Sequence, residues 1–143
     1  KRQAEASAYQ HDVQVGDIFR ASWGYDQTNI DYYQCVALIG AHMMEVREIC
    51  AQSEDTGFLQ GQCVPTPGAW ATEAYYDDNA EAYKAEHGCY PRRDKKSLRV
   101  KIQGVSGEPC FRVASYCCAY RMKPIADIAG VKVFDSSHWS AYA

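Results

Sequence analysis

The sequence predicts a mainly β (α+β) domain: a small, partly open antiparallel β-barrel or rolled sheet, SH3-like in outline, with one inserted helix around residues 72–87. Three observations lead there. Five or six short segments of alternating or branched apolar residues recur at close spacing, Gly and Pro punctuate the gaps between them, and only one stretch carries a helical period. The 143 residues suit one domain, and a hydrophobic share of 47% is enough to build its core. The expected organisation is a flexible N-terminal arm over 1–12 and a single globular domain over 13–143.

Residues 1–12 are polar, and the texture changes at Val13. Gly16-Asp17 reads as a turn into a first strand, IFRASW, in which Ile18 and Phe19 address opposite faces. YDQTN reads as a loop, because Asp, Thr and Asn bond locally to backbone. Tyr32–Ile39 is the second strand, rich in aromatic and branched residues. Gly40-Ala41 turns it into a third, His42–Cys50, where Met44 and Val46 share one face and Glu45 and Arg47 the other. Residues 51–71 read as loop, with Phe58-Leu59 and Cys63-Val64 as short edge pairings between Gly and Pro. The helix is expected over Thr72–His87: Thr72 as N-cap, Tyr76, Ala80 and Tyr83 on the apolar face, and Gly88 as the stop. Leu98, Val100 and Ile102 then alternate with Arg99, Lys101 and Gln103, and Pro109–Tyr116 is expected to return as the hairpin partner across Gly104–Gly107. A short strand around Val131–Phe134 precedes the polar-aromatic tail.

Composition excludes several classes. A net charge of −3 argues against a protein that coats nucleic acid through its overall field. No apolar run nears the ~18 residues that cross a bilayer, so no membrane partner is expected. KRQAEASAYQHD lacks the apolar stretch of a secretory signal; a cytoplasmic setting is the expectation, with a leader already removed as the alternative. The seven cysteines are odd in number, which disfavours a disulfide scaffold. Cys35, Cys110 and Cys117 fall in strands, where a thiol packs as a small hydrophobe. No pair of CxxC-type spacings exists for zinc, and Cys117 and Cys118 point to opposite faces as strand neighbours. No metal or other cofactor is expected.

Two segments hold more polar-aromatic side chains than a core requires. The first supplies Trp23, Tyr25, Asp26, Gln27, Asn29 and Asp31; the second supplies His138, Trp139 and Tyr142. Rings mixed with donors and acceptors have the composition of a recognition surface. Meeting at one end of the barrel, they would form a pocket rimmed by Asp26, Asp31 and His138. The competing reading makes Asp26, Thr28 and Asn29 a turn, Trp23 and Tyr33 core rings, and the tail an edge strand capped by Trp139. A cationic concentration, Arg92, Arg93, Lys95 and Lys96 with Arg99 and Lys101, is either a solvated face or a weak phosphate-contacting strip.

No P-loop, GxGxxG, HExxH or GxSxG is present, and the spacing of His138 to Ser136 or Ser137 implies no triad. The expectation leans away from an enzyme and towards a binding module. Asp26, Asp31 and His138 as a small metal-dependent nuclease or hydrolase, and a pocket that sequesters a nucleotide-like ligand, are the alternatives.

The block GDIFRASWGYDQTNIDYYQCVAL resembles the N-terminal signature of a family of small proteins from bacteriophages, plasmids and related mobile elements. The hairpin GEPCFRVASYCCAY and the closing HWSAYA are similar to that family's C-terminal half. The resemblance spans most of residues 15–50 and 97–143 and leaves the middle as a variable insertion. It carries no established activity. What it implies is an accessory protein in a bacterial host cytoplasm, engaging a host protein or protein–nucleic acid complex, with counter-defence as one such role.

Overall fold

Strands β1 (Ile18–Trp23) and β2 (Asn29–Ile39) are buried on both faces where Ile18-Phe19 and Tyr32-Tyr33 lie, and this decides the architecture. Consecutive residues of a strand point to opposite sides, so a strand with one wet face buries only every second residue. Here Ile18 and Phe19 are both buried, and so are their neighbours on the next strand, Tyr32 and Tyr33. Two cores result. The first gathers Phe19, Tyr33, Val46, Ile102, Phe111 and Ala119; the second gathers Ile18, Tyr32, Ile49 and Cys63, with Trp70 and Trp139 packed against them. Phe111 centres the first core, with ring centroids 5.4 Å from both Phe19 and Tyr33 in edge-on geometry.

The computed structural model describes residues 10–24, 27–105 and 107–140. Its remaining strands are β3 (Met43–Gly57), β4 (Gln60–Trp70), β5 (Thr72–Ala74), β6 (Arg92–Asp94), β7 (Leu98–Lys101), β8 (Gln103–Val105), β9 (Glu108–Ala114), β10 (Cys117–Arg121), β11 (Ala126–Ile128), β12 (Val131–Val133) and β13 (Ser137–Ser140), and its helix is α1 (Ala80–His87). The main sheet runs β13-β4-β3-β2-β1-β10-β9-β8, with every neighbouring pair antiparallel. β7 pairs with Met43–Val46 of β3, and β8 pairs with Glu108–Cys110 of β9. Between them the Ile102 N–H donates to the His42 carbonyl at 2.7 Å. The segment 98–105 therefore links the β9 edge of the sheet to β3, and the sheet curls around the first core as the partly open barrel the sequence predicts.

The second core is enclosed differently. Thr28, just ahead of β2, exchanges backbone hydrogen bonds with Ser140 of β13 at 3.1 and 3.0 Å, and Arg20 Nη1 donates to the Ser137 hydroxyl at 3.1 Å. These bonds tie the edge strand β13 back to the start of β2. Trp139 then lies over β4 at Gly61, where a Cβ would collide with the indole ring and with the Glu54 carbonyl oxygen.

Three expectations need correction. Residues 51–71 are not loop: β3 continues to Gly57, turns at Phe58-Leu59 and returns as β4, with Cys63 and Val64 paired to Ser53 and Gln52. Ala51–Gly57 is exposed throughout, so it shows no apolar alternation, and the ladder tolerates Pro67 and Gly68 by skipping from Pro65 to Trp70. The helix starts at Ala80 rather than Thr72. The Thr72 hydroxyl accepts a bond from Arg92 Nε at 2.9 Å within the β5–β6 ribbon, Tyr76 packs edge-on to Tyr90, and only Ala80 of the helix is buried. Gly88 does stop it, in the left-handed conformation at φ 80°. Finally, Leu98–Ile102 is not the hairpin partner of the 109–116 strand; that partner is β8, and β7 crosses to β3.

Burial pushes the Tyr33 phenol above the ordinary tyrosine range, helped by the Asp31 and Glu48 carboxylates. Burial does the same to Tyr32, reinforced by its hydrogen bond with Cys63, and to the Cys35, Cys110 and Cys117 thiols. The fold holds these groups neutral, whereas the unfolded chain ionises tyrosine near pH ~10 and cysteine from a lower pH, ~8.5. Their contribution to stability is complete below that pH and is lost as pH rises through the raised folded values. Thermal unfolding followed from pH 7 to 11 should show Tm falling above about pH 9. Tyr33→Phe should lose less than the wild type over the same interval.

Candidate functional site

Residues 19, 21 and 23 of β1 and 31, 33 and 35 of β2 face the first core by strand alternation, with Trp23 and Asp31 at its open end. Ala21 is directly opposite Asp31 and Trp23 opposite Asn29, so Trp23 and Asp31 are diagonal neighbours. The Trp23 indole Nε1–H donates to Asp31 Oδ2 at 2.7 Å, a charge-assisted bond that fixes the ring while leaving it 37% exposed. Beside it stands Tyr116, 72% exposed at the two-residue turn between β9 and β10. The two ring centroids are 6.4 Å apart and the planes are inclined at 58°.

The loop behind Trp23 is shaped to hold this corner. Gly24 adopts φ 127°, and a Cβ there would collide with the Gln27 carbonyl oxygen. Asn29 Nδ2 donates to the Trp23 carbonyl at 3.4 Å, and Gln27 Nε2 donates to Asn29 Oδ1 at 3.3 Å. Gln27 and Asn29 thus brace the turn as Trp23 reaches outward. Tyr25, Asp26 and Tyr142 lie outside the described residues.

The tail does meet the loop, through the Thr28–Ser140 bonds, and Asn29 and Trp139 line one open cleft, to which neither Asp31 nor His138 contributes. Trp139 points into the second core, on the opposite face of the sheet from Asp31, and its Nε1 is buried with no hydrogen-bond partner among the described residues. His138 faces solvent, its Nε2 3.4 Å from Gln60 Oε1. Asp31 lines a cleft with Ile30, Tyr32 and Glu48, whereas His138 lies beside Gln60 on the edge strand, and none of the clefts among the described residues is lined by both. Among the described residues no group of three His, Cys, Asp or Glu side chains is arranged to hold a metal ion.

The basic strip is divided. Arg92 donates to Thr72, Arg93 pairs with Glu73 at 3.2 Å, and Lys95 bonds both carboxylate oxygens of Glu48 at 3.0 and 3.2 Å. Lys96, Arg99 and Lys101 are exposed, and no described carboxylate pairs with them. The two candidate regions approach at an open cleft of about 370 Å³ lined by Asp31, Glu48, Thr72 and Arg92, and a second, of about 390 Å³, is lined by Tyr33, Glu48, Glu73, Arg93, Lys95 and Lys96. Tyr33 stands between Phe19 of β1 and Glu48 of β3 in the sheet register.

Sequence reasoning missed Tyr116. Its signal is the two-residue gap between the strands CFRVA and CCAY, which places Tyr116 at an exposed tip. Because Gly24 has no room for a side chain, Gly24→Ala should displace the loop at a cost of about 1–3 kcal/mol in urea unfolding. The same variant should shift the Trp23 indole N–H signal in an NMR spectrum. Searches of protein-family models, of curated proteins and of solved structures find no match to this chain.

Proposed function

We propose that the protein is a non-enzymatic binding module, a phage or mobile-element accessory protein of the host cytoplasm. In this reading it engages a host protein or protein–nucleic acid complex through the surface around Trp23, Asp31 and Tyr116. The observation that carries the reading is the exposed Trp23 ring, locked by Asp31 and flanked by Tyr116. A large aromatic anchor held in one orientation before contact gives up little conformational entropy on binding, and such residues dominate interface energies. Neighbouring clefts are open troughs whose charged walls are partly ion-paired, which favours a contact surface over an enclosed ligand pocket. The resemblance of the SWGYDQTN region to mobile-element proteins supports the setting.

Affinity capture from bacterial lysate, with and without nuclease, should retain a stoichiometric protein on the wild type and lose it on Trp23→Ala. Trp23 is a partly exposed ring at a strand end, so the variant should melt within a few degrees of the wild type. Unfolding of the variant would make Trp23 a structural ring and remove the basis of the reading. Captured material that disappears with nuclease would move the contact to Arg92, Arg93, Lys95, Lys96, Arg99 and Lys101.

A further inference from the structure

We propose that the corner formed by Trp23, Tyr116 and Asp31 is a receptor for a cationic side chain, an arginine presented by a partner protein. The proposal rests on the binding-module reading and names the chemistry its surface recognises.

The protein supplies its own comparison. Three other aromatic rings are each covered by a cation of the same chain: Arg47 lies 4.3 Å from the Trp70 ring centroid, Lys84 4.6 Å from that of Tyr90, and Arg93 5.7 Å from that of Tyr75. Over Trp23 and Tyr116 no cation of the described residues is placed, although both rings are exposed. The adjacent Asp31 carboxylate receives the Trp23 N–H and pairs with no cation among the described residues. Two inclined π-faces beside an unneutralised carboxylate make a cation-binding geometry.

Arg92, which lines a cleft with Asp31, spends its guanidinium on the Thr72 hydroxyl and carbonyl rather than on that carboxylate. Donation of the indole N–H to a carboxylate raises electron density in the ring and so strengthens its attraction for a cation. Further along the same face stands Glu48, opposite Tyr33, and both its oxygens hold Lys95, while Lys96 lines the cleft beyond it. A phosphate group at this corner would face Asp31. The net charge of −3 also favours encounter with a basic partner. Arginine fits better than lysine, because a planar guanidinium can stack on Trp23 and donate to Asp31 at the same time.

The test uses the full chain and a blocked tri-arginine peptide, with a citrulline version as the neutral isostere. Binding is read by calorimetry and by the Trp23 indole N–H signal. Tri-arginine should move that signal and the citrulline peptide should not. Asp31→Asn keeps an acceptor for the indole and removes the charge, and should weaken binding about tenfold; Tyr116→Ala, at an exposed turn, should weaken it several-fold. Equal binding of the citrulline peptide, an unmoved Trp23 signal, or unchanged affinity in Asp31→Asn would each overturn the proposal. So would an oligothymidylate that binds at Trp23 more tightly in Asp31→Asn than in the wild type, since that would identify a base-stacking surface. If Trp23-dependent capture of a protein succeeds while tri-arginine fails, the cation receptor falls and the binding module stands. Should Asp31→Asn not fold, the citrulline comparison and Tyr116→Ala decide the matter.

Discussion

Two adjacent tyrosines on β2, Tyr32 and Tyr33, are buried on opposite sides of the same strand, and the molecule divides along that plane. Tyr33 commits one face to the barrel interior with Phe19 and Phe111. Tyr32 commits the other to a second core, where its hydroxyl donates to the Cys63 carbonyl at 3.1 Å. A slip of one residue in the β1–β2 register would exchange the faces and place Asp31 among apolar rings. The register that builds the cores is therefore also what delivers Trp23 and Asp31 to one rim. Structure and candidate site share a single determinant.

Polar contacts attach the middle of the chain to this frame. The stretch from β5 through α1 to β6 buries little of itself: within the helix only Ala80 is shielded. It is fastened at its base, where the Ala71 and Lys95 N–H groups join the ladder, Asp94 meets Arg47 at 3.1 Å and Lys95 meets Glu48. Exposed ion pairs of this kind contribute ~0–1 kcal/mol each. Most of the stability resides in the apolar interior rather than in this excursion. Tyr76, Tyr90 and Lys84 stack on one another and give the excursion its own small order.

Much of the fold was legible because the barrel strands are short runs of apolar, aromatic and branched residues bounded by turn signals. Ile18 to Trp23, Tyr32 to Ile39 and Met43 onward could be read directly, as could the β-dominated class. Segments stabilised by partners rather than by their own pattern were opaque. The Ala51–Gly57 arm of the β3–β4 extension is exposed on both faces, and it is held by β4, whose Cys63 belongs to the second core and whose far edge carries β13. Thr72 resembles a helix cap in sequence, but its hydroxyl is taken by an arginine twenty residues away. The crossing of β7 to β3 depends on how far the sheet curls, which no local window encodes. At the site, Trp23 and Asp31 were visible as an unusual composition. Their bond to each other was not, and Tyr116 reaches them only through the tertiary fold.

The bond pair between Thr28 and Ser140 imposes an order on assembly during synthesis. Every strand that surrounds the first core has left the ribosome by the time Arg121 emerges, so that half can be assembled on the growing chain. The second core is completed only by Phe134 and Trp139, and until then Ile18, Tyr32 and Ile49, partly covered by Cys63 and Trp70, keep apolar surface open on the sheet. Nascent chains stalled between these two points would carry a native barrel with one sticky side. Such a species is a natural client for holdase chaperones, and release from them would coincide with the docking of a single four-residue strand.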